Sequence, residues 1–260
     1  MQSIRYKPKR IRGTHVDFAM AGMSVLQFPG TSDDQFTKHT QLTFFDCRSD
    51  MVRYLLIFLE PHQTGNELFS LWRKEIFSGW AALSPLHYLD ADDPMSERNK
   101  YRHVNIYHVN GLNFPALPQI EEHIQLRLSQ GHLVSYHWQL HSGICEIRQS
   151  SLTTTTVITV GMTIPGDKAT VQELTEWYDQ EHMPMLSTVP GWLAGIRMQL
   201  AHTSNAHDAS AAPYLAIHEW GSPNGLGGDI WKKAVMTPWT KRISALHTAP
   251  VYRRVWKVSD

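Results

Sequence analysis

The 260 residues carry 24 basic and 24 acidic side chains, so the chain has no net charge and no field that would draw it to nucleic acid or an anionic membrane. Hydrophobic residues at 42% and charged residues at 18% are globular proportions and exclude long disorder. Only Cys47 and Cys145 are present, too few for a disulfide scaffold or a cysteine zinc site, so a reducing, cytoplasmic setting is expected.

Arg5, Lys7, Lys9, Arg10 and Arg12 precede a mildly apolar patch from Val16 to Phe28. Asp17 interrupts that patch and no clean cleavage signal follows. Residues 1–50 therefore read as an N-terminal extension, with a flexible tail and Met20 or Met23 as alternative starts, that wraps the outside or an opening of the fold. The longest purely apolar run, Leu55 to Leu59, is far below the ~20 residues needed to cross a bilayer, so no membrane partner is expected.

From Met51 onward one pattern occurs twice. The first pass has a strand at Tyr54 to Pro61 and a helix opened by the capping box Thr64-Gly65-Asn66-Glu67. Strands follow at Leu86 to Leu89 and Arg102 to Asn110, then a helix at Pro118 to Leu128 and a strand at Val134 to Leu140. The second pass repeats the order: a strand at Val157 to Pro165, the box Thr170-Val171-Gln172-Glu173, strands at Leu193 to Leu200 and Tyr214 to Trp220, a helix at Pro238 to Leu246 and a strand at Val251 to Val258. At one constant offset Leu68 falls on Leu174, Trp72 on Tyr178 and Glu75 on Glu181.

These passes predict an α+β fold of two tandem ferredoxin-like βαββαβ modules, residues 51–150 and 151–260. Two helices cover one face of each sheet and leave the other bare. Pairing the bare faces gives an intramolecular α+β barrel, expected to enclose a pocket for an apolar or aromatic small molecule.

Fifteen histidines raise the question of proton transfer or metal binding. Positions 171, 174, 178, 182 and 185 share one apolar helix face, which aims Tyr178 and His182 at the interior. Strand alternation groups His103, Asn105 and Tyr107 with their counterparts Tyr214, Ala216 and His218. His137, Gln139 and His141 share a face that reads as solvated, and the loop of Asp90, Asp92 and Asp93 as a solvated turn. Gly225-Leu226-Gly227-Gly228 lacks the context of a phosphate loop and reads as a flexible lid. No recognised metal-ligand spacing occurs, so no metal is expected.

The run Trp177-Tyr178-Asp179-Gln180-Glu181-His182-Met183-Pro184-Met185-Leu186 resembles the W-Y-x-x-E-H-x-P-x-L signature of EthD-like dimeric α+β barrel proteins, and His218-Glu219-Trp220 resembles a third-strand ending found there. The resemblance covers roughly residues 155–260 well and the first pass in outline, where Ile76 stands in place of His182. It implies a fused version of a normally dimeric barrel, similar to fungal biosynthetic enzymes that act on polyketides without a cofactor. His182 is then the expected acid or base, with Tyr178, His218 and Tyr107 polarising a carbonyl or phenol. His103, Asn105, Trp72, Glu181, Tyr214 and Trp177 are the expected substrate contacts. The expected reaction is cyclisation, dehydration, decarboxylation or rearrangement. Alternatives are a haem-binding or cofactor-free oxygenase or peroxidase-like barrel, and a non-catalytic binder of a hydrophobic metabolite. A homodimer through the outer helices stays open.

Overall fold

In a computed structural model of the chain, the described residues are 43–44, 52–62, 67–96, 98–110, 116–128, 133–149 and 152–259. The strands are β1 (Thr43–Phe44), β2 (Arg53–Pro61), β3 (Leu83–Ala91), β4 (His103–Val109), β5 (Leu133–Arg148), β6 (Thr156–Met162), β7 (Trp192–Thr203), β8 (Tyr214–Trp220) and β9 (Tyr252–Val258). The helices are α1 (Glu67–Glu75), α2 (Leu117–Leu128), α3 (Lys168–Trp177), α4 (Met183–Ser187), α5 (Asp229–Val235) and α6 (Pro238–Ala245), with a π-helical turn at Tyr178–His182.

The lateral order β5-β2-β4-β3 in the first half recurs as β9-β6-β8-β7 in the second. β3 joins β9 at one seam, and the long β5 joins β7 at the other. Eight antiparallel strands thus close into a barrel with no bare edge between the halves, and β1 adds a short outer pairing on β5.

Period-two alternation decides which side chains fill the barrel. On β2, Tyr54, Leu56 and Phe58 point inward while Leu55, Ile57 and Leu59 meet the helices. On β4 and β8, Val104, Ile106, Leu215 and Ile217 point inward. Trp256, Ile196 and Met198 complete that inner cluster, so the barrel interior is packed core. This corrects the expected location of the pocket: the residues facing inward are the bulky apolar ones, and they leave the space beneath the helices as the place for a cavity.

His137, Gln139 and His141 also point inward, because they stand opposite Phe58, Leu56 and Tyr54 across the β2–β5 pairing. Their expected solvation is a second correction, since none is more than 1% exposed. They hydrogen-bond one another instead, although His141 Nδ1 is left without a partner. His141 Nε2 meets Gln139 Oε1 at 2.8 Å, Gln139 Nε2 meets His137 at 2.9 Å, and the same amide donates to Ser210 Oγ at 2.8 Å. The acidic turn is likewise structural, with Asp93 held against buried Arg254 at 2.7 Å and Asp90 against buried Arg73 at 2.8 Å.

Burial drives His137 down to about 4 and His141 down to about 3. An unfolded imidazole titrates near ~6.5, so below that pH the unfolded chain binds protons that the fold refuses. Their contribution to stability is full above about pH 6.5 and is lost as pH falls through the folded values. His141→Gln is expected to make unfolding free energy fall less steeply between about pH 6 and pH 4, by ~1.4 kcal/mol per pH unit for the proton removed. Urea unfolding across that range reads the slope; an unchanged slope would show that His141 is protonated in the fold.

The helix start of the second half also differs from expectation. α3 is capped by Asp167, whose Oδ1 accepts from the Thr170 backbone N–H at 3.0 Å. Asp167 is a strong cap placed three residues earlier, so the helix gains most of a turn and Thr170 falls inside it. Glu173 consequently pairs with Arg242 on α6. The matching box at Thr64 lies outside the described residues, as do residues 1–42 of the expected extension. Among the described residues no helix is long and apolar enough to cross a membrane.

Candidate active site

The site begins with Pro184. It lacks the N–H that a continuous helix would give to the Gln180 carbonyl, and its ring crowds that carbonyl. The chain answers with one wide turn in which the Met183 N–H bonds the Tyr178 carbonyl, five residues back. In an α-helix, residues five apart lie on different faces. The widened turn instead brings Trp177 and His182 together, with stacked rings 4.2 Å apart. Gly195 on β7 lets this turn sit close to the sheet, since a Cβ there would meet Met183 Sδ at 2.6 Å.

A cavity of about 220 Å³ lies between the outer face of the second-half sheet and its helices. Ile158, Val160 and Met162 of β6 form its floor. Trp177, Tyr178, His182 and Leu186 form one wall, and His218 and Trp220 of β8 another. Trp231 and Val235 of α5, Thr240, Ile243 and Ser244 of α6, His247, and Val251 and Arg253 at the start of β9 complete it.

Three polar rings meet there. His182 stands edge-on to Tyr178 at 5.5 Å and edge-on to His218 at 5.9 Å. Burial drives His182 down to about 3, reinforced by the His218 imidazole and opposed by a backbone hydrogen bond at Ala234. His218 falls to about 4, chiefly by burial and further by Arg253. Both imidazoles are neutral near pH 7, and the Nδ1 atom of each is buried without a hydrogen-bond partner. Such atoms are costly to bury.

Tyr178 is enclosed by Met162, whose sulfur lies 4.0 Å from the phenol oxygen, and by the Arg197 guanidinium 4.5 Å from its ring centre. Burial pushes the phenol pKa up, and Arg197 only partly opposes this, so Tyr178 keeps its proton as a donor. Arg197 is itself fixed by Asp179. Glu181 does not reach the cavity; its Oε1 accepts from Thr237 Oγ1 at 2.5 Å, and Thr237 caps α6. It ties the wide turn to the helix across the opening.

The structure thus unites Tyr178, His182, His218 and Trp177 from the expected set and leaves the others elsewhere. Tyr214 borders a small recess behind Tyr178, beside Arg197. Tyr107 and Trp72 belong to the first-half cluster, and Tyr107 lines a separate open cleft with Trp80 and Tyr88. Asn105 donates to the Arg73 carbonyl at 2.8 Å and to the Tyr107 hydroxyl at 3.0 Å, while His103 contacts Asp90 at 2.6 Å. For Tyr107, Trp72, Asn105 and His103 the cause is that they belong to the first-half strands and helix, away from the cavity of the second half.

Sequence reasoning missed Trp220, Trp231, His247 and Arg253. Alternation along β9 groups Arg253 with Val251 and Val255, which pack against the second-half core, and would have found it. His247 follows α6 in a loop and carried no such signal. Among the described residues no three His, Cys, Asp or Glu side chains gather as a metal site.

No family model matches the chain, and no curated protein matches its sequence. Solved structures do match its fold. An anthrone oxidase-like protein is similar over 84% of this chain and 95% of its own, with a TM-score of 0.52 at 13% identity. A protein named as a candidate monooxygenase from Lactobacillus acidophilus covers 80% of this chain and 93% of its own, with a TM-score of 0.51 at 7% identity. A similarly named protein from Fusobacterium nucleatum gives the same coverage and score at 8% identity. At such identities the likeness concerns architecture, and the chain shares the α+β barrel fold of these proteins.

Proposed function

We propose that the chain is a cofactor-independent acid–base enzyme of the EthD-like kind, built from two fused ferredoxin-like modules, acting on an aromatic or polyketide-like small molecule in secondary metabolism. One observation carries this reading: two neutral imidazoles, His182 and His218, line one tryptophan-walled cavity. His182 takes a proton from an acidified C–H or O–H of the substrate. Tyr178, protonated at neutral pH, donates to the oxygen that gains charge. In a dehydration the proton held on His182 passes to the leaving hydroxyl, water departs, and no cofactor is consumed. A histidine pushed far below neutrality is a weak base when the cavity is empty. An enolate forming beside it reverses this, because opposite charges in a low-dielectric cavity stabilise each other. Cyclisation, dehydration and decarboxylation all fit this scheme.

A second reading draws on the names of the fold neighbours, one anthrone oxidase-like and two monooxygenase-like. The carbanion left by the same deprotonation would then react with dioxygen. Incubation of the purified protein with aromatic polyketides, without added cofactor, separates the two by product mass. Products that form equally under air and under nitrogen support acid–base chemistry, products that require air support oxygenation, and no product from any such substrate contradicts both.

A further inference from the structure

We propose that the cavity selects an aromatic carboxylate, and that Arg253 at its opening is the residue that reads the charge. This rests on the reading of the cavity as the substrate site. Arg253 is the one charged side chain lining the cavity, and no Asp or Glu lines it. The histidines beside it are neutral near pH 7, so the walls carry a single positive charge.

Among the described residues that charge has no ion-pair partner. Buried Arg73, Arg197 and Arg254 are each held by an aspartate, whereas exposed Arg253 makes no ion pair with any described residue. Alternation on β9 places it on the helix side, one strand beyond His218, with β6 between them. Thr240, Ser244 and His247 line the same cavity. The cavity thus combines an aliphatic floor and aromatic walls with a few polar groups and one cation. A flat ring system fits the first part and an anionic oxygen group the second. A carboxylate is favoured over a phenol because it is fully ionised at neutral pH, whereas a free phenol titrates near ~10.

Isothermal titration calorimetry with naphthoate and its neutral analogue naphthylmethanol tests this. The wild-type protein is expected to bind naphthoate about tenfold more tightly than the alcohol, the low end for a charge-assisted hydrogen bond because Arg253 is exposed. That preference should shrink as salt is raised. Arg253→Gln should bind the two probes equally, and Arg253→Lys should restore part of the preference. Binding of both probes with no preference in the wild-type protein, or a preference that survives in Arg253→Gln, would overturn this inference and leave the acid–base reading standing. Binding of neither probe would overturn both.

Discussion

Replacing His182 by phenylalanine is expected to lower turnover of an accepted aromatic substrate by about 10²–10⁴-fold, the usual contribution of one positioned acid or base. Phenylalanine keeps a ring to stack on Trp177 and removes both nitrogens. The fold should survive, because the variant deletes a buried Nδ1 that has no partner. Its other loss is one hydrogen bond at Ala234, worth about 0.5–1.5 kcal/mol. Stability within that margin together with collapsed turnover is the expected pair of results. Unfolding curves and steady-state rates read them separately, and a variant with near wild-type turnover would remove His182 from the chemistry.

The largest expected loss of stability lies at the end of the barrel. Glu219 is 1% exposed and holds Arg148 through two hydrogen bonds of 2.9 and 3.1 Å, His87 at 3.1 Å and Thr154 at 2.9 Å. Arg148 lies on β5 and His87 on β3, so this carboxylate links strands of the two halves. Breaking a buried pair by removing one partner costs about 3–5 kcal/mol. The low end, about 3 kcal/mol, is expected for Glu219→Ala because Arg148 is 36% exposed and can rehydrate. A urea-unfolding difference under about 1 kcal/mol would show that the network adds little beyond its own desolvation cost.

The same site has a pH signature. Burial alone would raise the Glu219 pKa, but the hydrogen bonds and charges of His87 and Arg148 outweigh it and hold the group at about 2. An unfolded glutamate titrates near ~4.3, so the contribution is complete above that pH and is lost as pH falls towards the folded value. The variant should lack this part of the acid-induced loss.

Much of the fold was legible because it is written in local signals. Strand and helix positions followed from alternation, prolines and β-branched runs. The direction each sheet face takes was not legible, because period two says which residues share a face and not which face is covered. His137 and His141 were read as wet for that reason, although opposite Phe58 and Tyr54 they could only point into the core. The wide turn at Tyr178–His182 kept His182 on the buried face that helical spacing anticipated, and it added Trp177 to that face. Glu219 depends on strand pairings distant in sequence, which no local pattern carries.

The central claim is that a neutral His182 removes a proton from a substrate held in the cavity beneath α3. Deuterium incorporation from heavy water into the acidic C–H of a bound aromatic polyketide, followed by mass spectrometry without cofactor, tests it most directly. Exchange is expected with the wild-type protein and should be lost in His182→Phe. Equal exchange in both proteins, or none in either while the substrate binds, would contradict it.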